Sequence, residues 1–216
     1  LVDDADGAEP FFRNFRDGLP EFVKALPADA EVALVLLSGR PRVVVDYTDA
    51  RDELMDALDS FFIDDSRAAS FFPGLEETID RWDEDVRFPV LAVVTTDGPA
   101  QRNVTDGRYD RLLETIRDRT VTIHALGLFT EHGQGYQTGI ASTVTQRSGG
   151  WYDTLNGPSQ SVVTKLTEMA AEIVRQHNET RYQYAVVYDL PPGADPDASI
   201  GAAVRRPGVG LIVSAD

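Results

Sequence analysis

The sequence predicts an α/β fold: a doubly wound, mostly parallel sheet with helices on both faces and a C-terminal β-hairpin extension. Three observations carry this. Apolar runs of strand character alternate with stretches of helical periodicity along most of the chain. The run 89–98, PVLAVVTTDG, is apolar throughout before it ends in polar residues. A strand covered on both faces reads this way when it delivers a loop at its carboxyl end. The last segments, 181–190 and 199–215, follow one another with strand character and no helix between them.

The elements follow in order. Val2 and Asp3 stand at a strand end. Residues 11–26 align Phe11, Phe12, Phe15, Leu19, Phe22, Val23 and Leu26 on one helical face, which Gly18 and Pro20 are expected to kink or divide. Strands are expected over 32–37 and 42–47, joined by the turn residues Ser38-Gly39-Arg40-Pro41. Helical spacing returns over 51–62 (Leu54, Met55, Leu58, Phe61, Phe62) and 74–83 (Leu75, Ile79, Trp82). After the 89–98 strand come a helix over 108–117, a strand over 120–128, and a helix over 136–147 stopped by Gly149-Gly150. A short strand over 151–155 precedes a helix over 159–177, with Val162, Val163, Leu166, Met169, Ala170, Ile173 and Val174 on one side. Pro207-Gly208 suits a hairpin turn. The expected organisation is a main domain over 1–178 and a β extension over 179–216, packed on or continuing the sheet.

Composition limits function. With 36 acidic against 20 basic residues, the chain carries a formal charge of −16. Such a field opposes binding to nucleic acid or anionic membranes, which need clustered Lys and Arg. No cysteine is present, which excludes disulfides, thiolate metal sites and Cys nucleophiles. No apolar stretch is long enough to cross a bilayer, so no membrane insertion by this segment is expected. His124, His132 and His177 are scattered without metal spacing, and His124, on a strand with Thr120 and Thr122, is expected to be structural. There is no G-x-S-x-G and no G-x-G-x-x-G or P-loop.

The opening LVDDADGAE offers two chemistries. Asp4-Ala5-Asp6-Gly7 matches the D-x-D-G of haloacid dehalogenase-like phosphatases, with Ser38-Gly39-Arg40 in place of their second motif. In that reading Asp4 is the nucleophile and Asp6 the acid and base, assisted by Mg²⁺. The chemistry also needs a lysine to hold the phosphoryl group and a second acidic pair for the ion. No lysine lies between Lys24 and Lys165, and no G-D-x-x-x-D follows Asp97-Gly98. The phosphatase therefore stands as the alternative.

The other reading rests on a resemblance across most of the chain. Val2-Asp3 at a strand end, the helix with Phe15-Arg16-Asp17-Gly18-Leu19, the hairpin about Ser38 to Pro41, the strand into Thr96-Asp97-Gly98, and Ser148-Gly149-Gly150-Trp151-Tyr152 ahead of a long helix stand in family order. So arranged, the chain resembles the von Willebrand factor A domains. Tyr182, Tyr184 and Tyr188, with Arg206-Pro207-Gly208, resemble the tail of a bacterial subgroup, the VWFA-related proteins. The resemblance implies a metal-ion-dependent adhesion site at the carboxyl ends of the strands. There D-x-S-x-S, a Thr and an Asp hold Mg²⁺ or Mn²⁺, and a partner's carboxylate completes the shell.

Carried over residue by residue, the first Asp falls on Asp3, and the two serines fall on Ala5 and Gly7. The register Asp4-Asp6-Ala8 remains open. The Thr falls on Ala69, beside Ser70, and only Asp97 matches. The expectation is a degenerate site that holds Mg²⁺ or Mn²⁺ weakly at most, in a non-catalytic domain that binds or scaffolds a protein partner. The expected contact surface is the rim of loops 3–10, 66–73, 96–102 and 129–137. Its candidate contacts are Asp4, Asp6, Ser70, Thr96 and Asp97, with Phe71 and Phe72 either as an exposed anchor or as a hydrophobic staple. The resemblance to exported bacterial proteins points to an extracytoplasmic (secreted or periplasmic) location.

Overall fold

The computed structural model describes residues 1–83, 86, 88–100, 104–130 and 135–180. The tail expected to carry the β extension, its three tyrosines and the Pro207-Gly208 turn lies outside these residues. Strands β1 (Val32–Leu36), β2 (Arg42–Thr48), β3 (Val90–Thr96), β4 (Thr122–Phe129) and β5 (Tyr152–Asn156) alternate with six helices. β1 and β2 pair antiparallel, while β3, β4 and β5 form a parallel ladder. Val2 joins the two groups by bridging in parallel to Leu36 and to Val94. The predicted α/β class is the observed one.

Strand alternation sends side chains into two cores. On one face, Leu36, Val94, Leu126 and Leu128 meet α1 (Phe12–Ala25), α2 (Arg51–Asp59) and α6 (Ser161–Thr180). On the other, Val35, Val93, Ile123 and Ala125 meet α3 (Phe71–Asp80), α4 (Asp106–Asp118) and α5 (Tyr136–Ser148). β3 and β4 are buried along most of their length because both their faces are covered, with polar residues at Thr95, Thr96, Thr122 and His124.

Several expectations about helices are corrected. α1 is not divided at Gly18 or Pro20, and a 3₁₀ turn, Asp6–Phe11, leads into it. Pro20 costs the helix one bond, to the carbonyl of Arg16, while Phe15, Leu19, Phe22 and Val23 seat both halves on one core. Gly18 is a contact residue: a Cβ there would lie 2.7 Å from Leu166 Cδ1, so glycine lets α1 approach α6. α2 stops at Asp59; Phe61 turns inward against the rings of Phe12 and Phe15, and Phe62 is left exposed. α3 begins at Phe71 rather than at 74.

Gly149 ends α5 as expected, with φ 72° in the left-handed region. Its neighbour answers a different demand. A Cβ on Gly150 would fall 1.9 Å from the carbonyl oxygen of Ile123, so only glycine lets the chain pass β4. His124 is buried and structural: its Nδ1 accepts from Trp151 N–H at 3.2 Å, and its Nε2 lies 3.1 Å from Gln176 Oε1. That pair of contacts fixes a neutral ring with the proton on Nε2. Burial also pushes its pKa below the ordinary histidine value.

Candidate functional site

Among the described residues, an apolar cavity and the loop end of the sheet could each receive a ligand. An apolar cavity of about 540 Å³ lies at the amino ends of the strands, lined by Phe22, Leu34, Trp82, Leu91, Met169 and Ile173 among others. The opposite end, where the strands deliver their loops, gathers the carboxylates singled out from the sequence. Open α/β sheets bind ligands at that end, and the chemistry is there.

Asp3 and Asp4 follow Val2 as it leaves the sheet, and as neighbours on extended chain they point to opposite sides. Asp3 turns toward β3. Its Oδ2 accepts from the backbone N–H of Thr96 at 3.1 Å and from the Thr96 hydroxyl at 2.7 Å, while Oδ1 accepts from Ala5 N–H at 3.1 Å. Burial raises its pKa; those three donors and the nearby Asp4 are the lesser influences.

Asp4 turns toward β1. Its Oδ1 accepts from Leu37 N–H at 2.8 Å and Ser38 N–H at 2.6 Å. Oδ2 accepts from the Ser38 hydroxyl at 3.0 Å and from Arg42 Nη2 at 2.8 Å. Asp97, at the end of β3, braces the chain after β4: both its oxygens accept from Thr130 N–H, and Oδ1 also from the Thr130 hydroxyl at 3.0 Å. All three carboxylates are buried, and each has donors on both oxygens.

Backbone contacts close the loops upon one another. Asp64 N–H donates to the Asp4 carbonyl, Asp6 N–H to Arg67, Ala69 N–H to Pro99, and Ser70 N–H to Leu37. The Ser70 hydroxyl donates to the Gly39 carbonyl at 2.6 Å. Gly7 packs directly on Gly98: a Cβ on Gly7 would lie 2.5 Å from Gly98 Cα and 2.6 Å from Thr96 Oγ1. A side chain at position 7 therefore has no room. Among the described residues no three His, Asp or Glu side chains converge as a metal cluster.

Most of the residues singled out from sequence are gathered here, but not as accessible contacts. Asp6 alone of the seven is exposed; Asp4, Ser70, Thr96 and Asp97 are buried and committed to internal partners. The exposed-anchor reading of Phe71 and Phe72 is corrected: at 1% and 0% exposure both are core residues. Phe72 stacks on Tyr109 with Arg108 over its ring. Sequence reasoning missed Arg42 and the Thr130 hydroxyl, which complete Asp4 and Asp97, and took Ser38 for a motif residue when its hydroxyl donates to Asp4. Arg42, directly after the Ser38 to Pro41 turn, was the available signal.

A doubly wound α/β sandwich with its polar loops at the carboxyl ends of the strands is the class that these features define. Residues 1–150 match the family model described as von Willebrand factor type A domain, and the chain belongs to that family. No curated protein matches the chain. Among solved structures it is similar to the conserved hypothetical protein BatB of Bacteroides thetaiotaomicron, with TM-score 0.60 and 13% identity over 81% of this chain and 96% of that one. The von Willebrand domain of the type V pilus tip protein Mfa5 of Porphyromonas gingivalis superposes with TM-score 0.56 at 10% identity, covering 88% and 96%. Proximal thread matrix protein 1 of the mussel byssus, solved with a zinc-occupied adhesion-site motif, gives 0.56 at 11%, covering 80% of this chain and 46% of that one. At these identities the likeness is one of fold.

Proposed function

We propose that the chain is a non-catalytic, protein-binding von Willebrand A domain whose metal-ion-dependent adhesion site is degenerate. Domains of this family commonly mediate protein interactions, and the rim here is built to present loops rather than to hold an ion. The observation that carries the reading is the closure of the site. Asp3 and Asp97 are spent on Thr96, Ala5 and Thr130, the hydroxyl positions are Ala5, Gly7 and Ala69, and Gly7 lies against Gly98. A hard cation needs several oxygen ligands about 2.0–2.2 Å away, and to coordinate one these carboxylates must leave partners they already hold. Mg²⁺ or Mn²⁺ therefore binds weakly at most, and the domain acts on its partner without either.

The phosphatase alternative lacks a converging pair of acids. Asp4 is closed beneath Ser38 and Arg42 while Asp6 faces solvent. The expected setting is extracytoplasmic, on the strength of fold neighbours that include a pilus tip protein. No helix among the described residues is long and apolar enough to cross a membrane.

Calorimetric titration with Mg²⁺ and Mn²⁺ tests the reading, with no saturable heat expected up to about 1 mM. Micromolar binding abolished by Asp97→Ala refutes it. In the same protein, Asp6→Lys with Pro99→Glu on the exposed rim should weaken retention of the native partner and leave the melting temperature in place.

A further inference from the structure

We propose that the apolar cavity is a strand slot, filled in the native protein by an extended, uncharged apolar segment continuous with Leu1 that pairs in parallel with β1 and β3. Filled in this way, one sheet runs from β2 to β5 through a new central strand.

Hydrogen bonds on both sides of Leu1 to Asp3 define the slot. Val2 N–H donates to the Val35 carbonyl at 2.9 Å, and Leu37 N–H donates to the Val2 carbonyl at 3.2 Å. On the other side the Leu1 nitrogen donates to the Ala92 carbonyl at 2.7 Å. Val94 N–H donates to the Leu1 carbonyl and Asp3 N–H to the Val94 carbonyl, both at 2.9 Å. A central parallel strand bonds by alternate residues to its two neighbours. Toward the amino end, the same alternation reaches Val35 N–H and the Ala33 carbonyl on β1, then Ala92 N–H and the Val90 carbonyl on β3. Among the described residues no strand lies between β1 and β3 on that side of Leu1.

Burial divides at the same point. Val35, Leu36, Val93 and Val94 are buried. Val32, Ala33, Leu34 and Ala92 are half-buried and Val90 is 37% exposed, although interior parallel strands are covered on both faces. Tyr47, Val86, Phe88 and Val90, all large side chains left exposed, line the cavity. The Leu1 nitrogen is buried at its inner end, where desolvation pushes the pKa down to about 5. A peptide N–H in its place keeps the bond to Ala92 and has no charge to bury.

The walls set the chemistry of the occupant. Leu1 packs in the core that holds Leu91 and Trp82, and Val2 in the core that holds Phe22, Met169 and Ile173. Successive strand residues point to opposite faces. The residue before Leu1 therefore meets the Phe22 side, and the one before that the Trp82 side. Both sides are apolar, so the segment is a continuous apolar run rather than an alternating one. From Val35 to Val32 the strand covers about 10 Å at roughly 3.3 Å per residue, so three or four residues fill the slot. Continuity with Leu1 favours the chain's own segment over a separate peptide. A separate strand would bury its carboxylate and the Leu1 ammonium together between apolar walls, whereas a peptide bond buries neither charge. The strand ends in Asp3 and Asp4, so its occupant also anchors the two carboxylates at the rim.

The test compares the chain beginning at Leu1 with the same chain extended at its amino end by Val-Ile-Val-Val, by Val-Asp-Val-Asp or by Gly-Ser-Gly-Ser. With the apolar extension, amide exchange at Val35 and Ala92 should slow at least about tenfold relative to the other three, and the melting temperature should rise. If the chain beginning at Leu1 does not fold, the apolar extension should restore a cooperative transition and the other two should not. Equal exchange in all forms, or equal protection by the Gly-Ser extension, overturns the proposal. A free acetylated Val-Ile-Val-Val peptide at about 1 mM that protects the same amides as fully as the linked one assigns the slot to a partner strand and overturns it too. So does a native protein whose residues directly before Leu1 are charged or include proline.

Discussion

Replacing Gly7 by alanine probes the closed rim with a single methyl group. The added Cβ would lie 2.5 Å from Gly98 Cα, 2.6 Å from Thr96 Oγ1 and 2.9 Å from Gly98 N. Two of the three are backbone atoms, so relief requires a loop to move rather than a side chain to turn. Overpacking of this kind costs about 1–3 kcal/mol. The third atom matters separately, because Thr96 Oγ1 donates the 2.7 Å bond to the buried Asp3. Weakening a hydrogen bond to a buried charged group adds about 1.5–3 kcal/mol. Together the loss is about 2.5–6 kcal/mol, or roughly 5–24 °C in melting temperature for a chain of this size. Urea and thermal unfolding of Gly7→Ala, Gly98→Ala and the double variant provide the measurement. Both glycines serve one contact, so the double variant should lose much less than the sum of the singles. Gly7→Ala within about 0.5 kcal/mol of the parent would show that the two loops do not touch and refute the closed rim.

Other consequences follow from the same geometry. His124 is held neutral in the fold with its pKa lowered, so the unfolded chain takes up the proton first. Stability should therefore fall as pH drops below about 6.5, at up to about 1.4 kcal/mol per pH unit. Urea midpoints should show this slope, and His124→Gln should flatten it; an unchanged slope would mean that the ring is not neutral and buried. Gly150→Ala, with its Cβ 1.9 Å from a backbone oxygen, should cost more than about 3 kcal/mol or prevent folding, whereas Gly139→Ala, which meets nothing within 4 Å, should not destabilise. Arg42→Ala leaves Asp4 with its two backbone donors and the Ser38 hydroxyl, so a loss of about 1–2 kcal/mol is expected at low salt, discounted for the exposure of Arg42. A loss reaching that of Gly7→Ala would mean that Arg42, not the backbone, holds the turn.

The elements were legible wherever local pattern and burial agreed. The apolar run at 89–98 is β3, the helix stopped by Gly149 is α5, and the periodic stretch after 159 is α6. Pattern failed where a contact from elsewhere overrode it. Pro20 argued for a break in α1, but an apolar face seated on the core held the helix together. Phe71 and Phe72 beside Pro73 and Gly74 read as an exposed pair, and only the packing of α3 against the sheet and Tyr109 shows them to be interior.

The candidate site divides in the same way. From the residues alone one can see that Ala5, Gly7 and Ala69 carry no hydroxyl and that Asp3 and Asp97 remain, because ligand chemistry is a property of residue type. Where each carboxylate points is not such a property. Asp3 and Asp4 are neighbours in the chain, yet one pairs with Thr96 and the other with Arg42, because an extended backbone turns successive side chains to opposite sides and the sheet supplies different partners on each. The sequence by itself thus determined the fold class and the residue types at the strand ends, both written in local pattern and composition. Only the tertiary structure decided that Asp3, Asp4 and Asp97 are spent on internal donors, that Gly7 and Gly98 pack together, and that Arg67 lies across the turn beside Arg42, since those partners are brought together only by folding.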